Sequence, residues 1–120
     1  MSDLGQLLAE MRPALHEDRY GFEALDPDAP LPPQVFALIQ EDEGMTLVAP
    51  FPDGEWARIT LMVHSSLSAV GLSAAVAGVL ADRDISANIV AGYHHDHIFV
   101  PWARRDEALA ALEALSEQHS

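Results

Sequence analysis

The stretch WARITLMVHSSLSAVGLSAAVAGVLADRDISANIVAG, residues 56–92, decides the fold. Its first ten residues, 56–65, are rich in aromatic and β-branched side chains and predict a strand. Residues 67–84 have the length and propensity of a helix. Residues 85–93, ISANIVAGY, return to strand-like composition. Within the helix, Gly71, Ala74, Ala75, Gly78 and Ala81 recur at spacings of three or four and leave one side nearly flat. A glycine in a helix interior costs about 1 kcal/mol relative to alanine. The pattern therefore predicts close approach by a sheet, a second helix or a partner subunit, while Val70, Val76, Val79 and Leu80 supply apolar bulk.

Downstream, HIFVP (97–101) reads as another strand, joined to the previous one through the histidines at 94, 95 and 97. RRDEALAALEALSE (104–117) reads as a helix with Leu109, Leu112 and Leu115 on one face and Asp106 and Glu107 in the first turn, where the macrodipole favours them. The order is β-α-β-β-α. A right-handed crossover then covers one face of the sheet with helices. This is a split β-α-β, ferredoxin-like plan that lacks its last strand. A strand from the first half, 18–24 or 34–40, must fill the empty place.

Upstream, Leu4, Leu7, Leu8 and Met11 have helical spacing, with Ser2 or Asp3 as N-cap and Pro13 as stop. RYGFEAL (19–25) alternates as a short strand. QVFALIQ and MTLVAP flank EDEG and predict a hairpin over 34–49. Seven of the eight prolines lie at or before Pro52, and 25–34 is a proline-rich surface loop. The expected class is α+β: a βαββαβ unit with a mostly antiparallel sheet of about six strands and three helices. The expected division is 1–55, an N-terminal helix and strands, and 56–120, the regular unit.

Composition narrows function. A net charge of −13 argues against nucleic-acid binding, which needs basic side chains to neutralise phosphates. All six basic residues are arginine, so lysine-dependent Schiff-base chemistry and a Walker-type phosphate loop are excluded. Without cysteine there is no disulfide or thiol chemistry. The first 25 residues lack the pattern of a signal peptide, and no apolar run approaches ~18 residues. The expectation is a cytoplasmic protein with no membrane or nucleic-acid partner.

Residues 70–92, VGLSAAVAGVLADRDISANIVAG, resemble the ACT-domain signature. Gly71 matches the glycine that opens the helix, and Asn88 and Ile89 match the second strand. The blocks HSSL, AVGL and HDHIFV together look like a group of small bacterial ACT-like proteins. Tandem ACT amino-acid sensors are similar at greater distance, which adds the possibility that residues 1–55 are a degenerate ACT-like half. The resemblance implies a regulatory module holding an amino acid in the loop 64–72, with a subunit or pseudo-subunit interface nearby. It departs from the family where an acidic residue and a proline usually precede the glycine; His64, Ser65, Ser66 and Val70 stand there instead.

The candidate ligand site comprises His64, Ser65, Ser66, Leu67, Val70, Gly71, Leu72, Asn88, His95, Asp96 and His97. A helix start presents unpaired backbone N–H groups that suit a carboxylate. The serines suit either a ligand or a plain helix cap. Asp96 is the expected partner of a ligand amine. Strand alternation places His95 and His97 on one face, and His64 is a possible third zinc ligand, but a hairpin tip bonded to its own backbone accounts for the same residues. Ser65 or Ser66 with His64 or His97 and Asp96 supplies the residue types of a triad, without a G-x-S-x-G elbow. Glu41–Asp42–Glu43 lacks calcium-loop spacing. Trp56 and Trp102 read as core or interface. No catalytic residue, metal or cofactor is assigned. The favoured reading is a binding module that forms a homodimer. The alternatives are a histidine-dependent metal-binding or enzymatic protein, and a protein-interaction module without a small ligand.

Overall fold

The computed structural model describes residues 3–120. Three helices, α1 (Leu4–Ala9), α2 (Leu72–Asp82) and α3 (Arg105–Glu117), accompany six strands. The strands are β1 (Pro13–Leu25), β2 (Ala37–Glu41), β3 (Gly44–Pro50), β4 (Trp56–Leu61), β5 (Asn88–Ala91) and β6 (Asp96–Pro101). They form one sheet in the order β2-β3-β1-β4-β6-β5, with every neighbouring pair antiparallel. The α+β, ferredoxin-like plan expected from the sequence is the plan observed.

The missing strand is β1. It lies beside β4 and fills the fourth place of the β4-α2-β5-β6-α3 unit. The strand is longer than the sequence suggests. Pro13 does not merely stop a helix; it begins the strand, a position where its missing N–H costs little. Arg12, in a left-handed conformation with φ 45°, makes the turn between α1 and β1. Residues 13–20 pair with β4 and residues 20–25 with β3. Between Leu15 and Arg19 the register shifts: β1 advances four residues while β4 advances two, from Ile59 to Ala57. Such a bulge bends the strand and hides its alternation in the charged run His16–Arg19. Of the two expected N-cap residues, Asp3 accepts a hydrogen bond from the Gly5 N–H at 3.1 Å, and Ser2 lies outside the described residues.

All three helices cover one face. Ala57, Ile59 and Leu61 of β4 and Ile98 and Val100 of β6 meet Leu7, Leu8, Met11, Val76, Leu80 and Leu112 there, all at 7 % exposure or less. Among the described residues the buried polar side chain is Thr60, and it lies on the other face. The opposite face carries a smaller aromatic cluster of Tyr20, Val48 and Phe99, with Phe22, Phe36, Trp56 and Val90 around it. Phe36, at the end of the proline-rich loop, lays its ring edge-on to Phe99 at 5.4 Å, and its N–H donates to the Val48 carbonyl.

The small residues of α2 have two fates. Gly71 has φ 100°, a conformation that suits glycine, and a Cβ there would meet Leu4 of α1 at 3.0 Å. Gly78 has nothing within 4 Å of the corresponding position, and Ala74, Gly78 and Ala81 are exposed. The close approach expected of this helix is made by α1 at Gly71 and by α3 along part of its length, while the Ala74–Gly78–Ala81 side stays uncovered.

Candidate functional site

Where β4 ends, residues 62–71 cross to α2 without regular structure, and α2 opens at Gly71. No side chain caps it. The nearby serines are occupied otherwise: Ser66 and Ser68 share a hydroxyl–hydroxyl bond of 2.8 Å, and the Ser68 N–H donates to Ser66 Oγ at 3.1 Å. Capping therefore does not account for these serines. The first N–H groups of α2 keep the positive end of the helix dipole without an acceptor side chain.

Beside this helix start is a crevice of about 100 Å³, lined by Ser65, Ser66, Leu67, Ala69, Gly71, Leu72, Ser73, Ala91 and Asp96. The structure thus brings the loop and the end of the β5–β6 hairpin together. Burial pushes the Asp96 carboxyl above its usual range, while a hydrogen bond from Ser65 and the nearby His95 oppose the shift. A carboxylate short of solvation is a natural acceptor for a ligand ammonium.

Six of the eleven candidate residues line the crevice: Ser65, Ser66, Leu67, Gly71, Leu72 and Asp96. Val70 does not; it points outward and is 85 % exposed. Asn88 is exposed on β5, four positions before the hairpin turn begins at Gly92. His64 lies outside the lining, its ring 4.7 Å from that of His95 and 6.5 Å from that of His94. The expected alternation of the histidines fails because 92–95 form a turn and β6 begins only at Asp96. His95 sits in that turn, with a buried Nδ1 that has no partner. Among the described residues no group of three or more histidines and carboxylates is arranged to hold a metal ion.

His97 belongs to a different place. Its ring packs edge-on to Phe36 at 4.8 Å on the open face of the sheet, and its Nδ1 is 3.0 Å from Thr60 Oγ1. The same hydroxyl is 2.7 Å from His16 Nε2 and accepts a long 3.4 Å bond from Arg58 Nε. Arg58 Nη1 donates to the Tyr20 hydroxyl at 2.7 Å. Burial, then Arg58, then His16 and His95 hold His97 down to about 4. Burial and Arg58 also lower His16, against a raising effect of Asp18. Ser65 and Asp96 therefore lack the histidine that a triad through His97 would need. The sequence reading missed the group formed by His16, Arg58 and Thr60. Strand alternation in WARITL, which sets Trp56, Arg58 and Thr60 on one face, was the available signal.

Of the tryptophans, Trp56 borders the aromatic cluster, 5.9 Å from Phe22. Trp102 lies between Arg19 and Arg105, whose guanidinium carbons stand 4.9 and 3.9 Å from its ring. Glu41–Glu43 is the exposed tip of the β2–β3 hairpin. Among the described residues no helix is long and apolar enough to cross a membrane.

The geometry agrees with comparisons to known proteins. One ACT-domain family profile matches residues 54–114 and a second matches residues 1–63. A solved protein of unknown function from Vibrio cholerae, described as a possible transport protein, is 39 % identical. The alignment covers 90 % of this chain and 92 % of that one, with a TM-score of 0.74. An Agrobacterium tumefaciens protein superposes with a TM-score of 0.71 at 14 % identity, covering 87 % of each chain. The ligand-free regulatory subunit of aspartate kinase from Thermus thermophilus superposes with a TM-score of 0.66 at 14 % identity, covering 86 % of this chain and 95 % of that one. No match was found among curated proteins. The chain belongs to the ACT-domain family, a family of small regulatory modules that bind small ligands.

Proposed function

We propose that this ACT-domain protein is a regulatory module that senses an amino acid in the crevice between the 65–72 loop and Asp96. One observation carries the reading: α2 starts uncapped at Gly71, directly beside a recess that also holds the desolvated Asp96 carboxylate. The ligand carboxylate would accept from the first N–H groups of α2 and from the Ser66 hydroxyl, while Ser65 holds Asp96 in place. Its ammonium would face Asp96. The recess is smaller than the ~150 Å³ that accommodates benzene, so it suits the amino-acid backbone, with the side chain emerging past Leu67 and Ala69.

We also infer that the protein works as a cytoplasmic homodimer whose two ACT-like halves, 1–55 and 56–120, share one sheet. The paired profile matches support the halves. Leu67 in the crevice lining, Val70 beside Gly71 and Tyr93 in the 92–95 turn leave apolar surface unburied, at 66, 85 and 83 % exposure, which supports a partner on this side of the molecule. A ligand held at such a boundary regulates assembly through its different affinity for the two states.

A thermal-shift series against the common amino acids tests the proposal. Free ligand at ~100 times its dissociation constant adds about 2.7 kcal/mol of stability. The shift should vanish in Asp96→Asn and weaken in Ser65→Ala, both of which keep the backbone. If no amino acid raises the melting temperature, or if Asp96→Asn retains the full shift, the assignment fails. A shift with zinc alone, abolished by His95→Ala, favours the histidine-dependent alternative.

A further inference from the structure

We propose that the open face of the sheet carries a second small-ligand pocket, built around Arg58, that takes a small monocarboxylate with a short apolar body. It is separate from the loop crevice and shares no lining residue with it.

The pocket is a recess of about 170 Å³. Tyr20 and Arg58 lie on the sheet, Val35, Phe36 and Pro50 form apolar walls, and Asp18 and Gln34 stand at the exposed rim. Its size is close to that of cavities that admit benzene, which sets the scale of the ligand.

Arg58 is what makes the recess more than a gap. Its guanidinium carbon sits 4.5 Å from the centre of the Phe36 ring and 5.4 Å from that of Tyr20. With the bonds to Tyr20 and Thr60, these contacts hold the side chain in place before any ligand arrives. Ordering a long arginine is a main cost of binding, and here the fold has already met it. The positive charge is not neutralised. No carboxylate lies within 4 Å of Arg58, and Arg104–Glu107 is the single ion pair among the described residues. Arg19 and Arg105 donate to backbone carbonyls, but Arg58 donates only to neutral hydroxyls. Of its five N–H groups these bonds use two, which leaves three for a planar oxyanion.

The surroundings choose the anion. Asp18 at the rim repels a second negative charge, so a dianion such as phosphate is disfavoured. Val35, Phe36 and Pro50 reward an apolar body. The charged and titratable groups facing the site are Arg58, Asp18, His16, His97 and Tyr20. Because Arg58 helps to depress both histidines, an anion on Arg58 raises them, and proton uptake becomes a signature of occupancy.

The test is an NMR titration of the full chain with butyrate, with butyramide and inorganic phosphate as controls. The expected result is saturable shifts at Phe36, Tyr20 and His97 with butyrate only. The titration midpoints of His16 and His97 should rise at the same time. Arg58→Gln should weaken the effect by about tenfold or more. Gln34→Trp fills the recess from the exposed rim and leaves Arg58 itself in the chain, and it should abolish the shifts in a protein of unchanged melting temperature. Equal shifts with butyramide or phosphate, shifts confined to residues 64–72, or full binding in Gln34→Trp would overturn the proposal.

Discussion

The two faces of the sheet are made by the same strands and differ in almost every other respect. Ala57, Ile59 and Leu61 turn from β4 toward the helices, into a cluster of aliphatic side chains and methionine. Trp56, Arg58 and Thr60, the residues between them, turn the other way, into rings, imidazoles and a guanidinium. β6 repeats the division, with Ile98 and Val100 on one side and His97 and Phe99 on the other. One face secures the fold by burying hydrocarbon. The other face has no helix over it and holds polar groups through specific bonds. Stability and chemistry are thus separated by strand alternation, across a single backbone.

Leu80→Ala attacks the helical face and should have the largest effect. Leu80 is fully buried, so a loss of about 2–5 kcal/mol is expected in chemical denaturation, without change in the titration of His97. A shift in His97 of the same variant would break the claim that the faces are separable.

Thr60→Val attacks the open face with little change of shape. It leaves His16 Nε2 and His97 Nδ1 without their shared hydroxyl, at an expected cost of about 1–3 kcal/mol. The titrations of His16 and His97 should change as well, which no aliphatic substitution on the other face should reproduce.

Acidification acts on the open face through its two depressed histidines. His97 titrates near 6.5 when unfolded and about 4 when folded, so the unfolded chain binds more protons between those values. The stabilising contribution of neutral His97 is complete above pH 6.5 and is lost as pH falls toward 4; His16 acts in the same direction. Since His97 is only half-buried, solvent screening reduces the loss to roughly 1–2 kcal/mol. Denaturation midpoints measured from pH 7 to 4 should follow this slope, and Thr60→Val should alter it. A flat profile would place His97 in a far wetter setting than its contacts with Phe36 and Thr60 indicate.

The smallest effect belongs to the surface. Arg104 pairs with Glu107 at 2.8 Å and donates to the Arg83 carbonyl at the end of α2. As an exposed pair it should contribute no more than about 1 kcal/mol, read as a small drop in melting temperature for Arg104→Met.

These faces were unequally legible in the sequence. The helical face announced itself through local patterns: the strand at 56, the alanine-rich helix, the hairpin around the histidines and the leucines of α3 all lie in their expected order. The crevice was legible for the same reason, since Ser65, Ser66, Gly71 and Leu72 are neighbours in the chain and Asp96 follows from the hairpin. The open face depends on contacts between distant residues. His16 and Thr60 are 44 positions apart, and Thr60 and His97 are 37. The bulge between Leu15 and Arg19 removed the period-two signal that would have marked β1 as one long strand. The hairpin tip was expected among the histidines, but its bounds were not: the turn ends at His95, and His97 already lies on β6 facing Thr60.

The span of β1 has a consequence for any attempt to cut the protein in two. A fragment beginning at residue 56 would keep both large helices but leave the flank of β4 with a row of bare amides and carbonyls. It should precipitate, or capture that row from another copy. Adding a 1–55 peptide in trans should rescue it, as in the complementation of a split reporter.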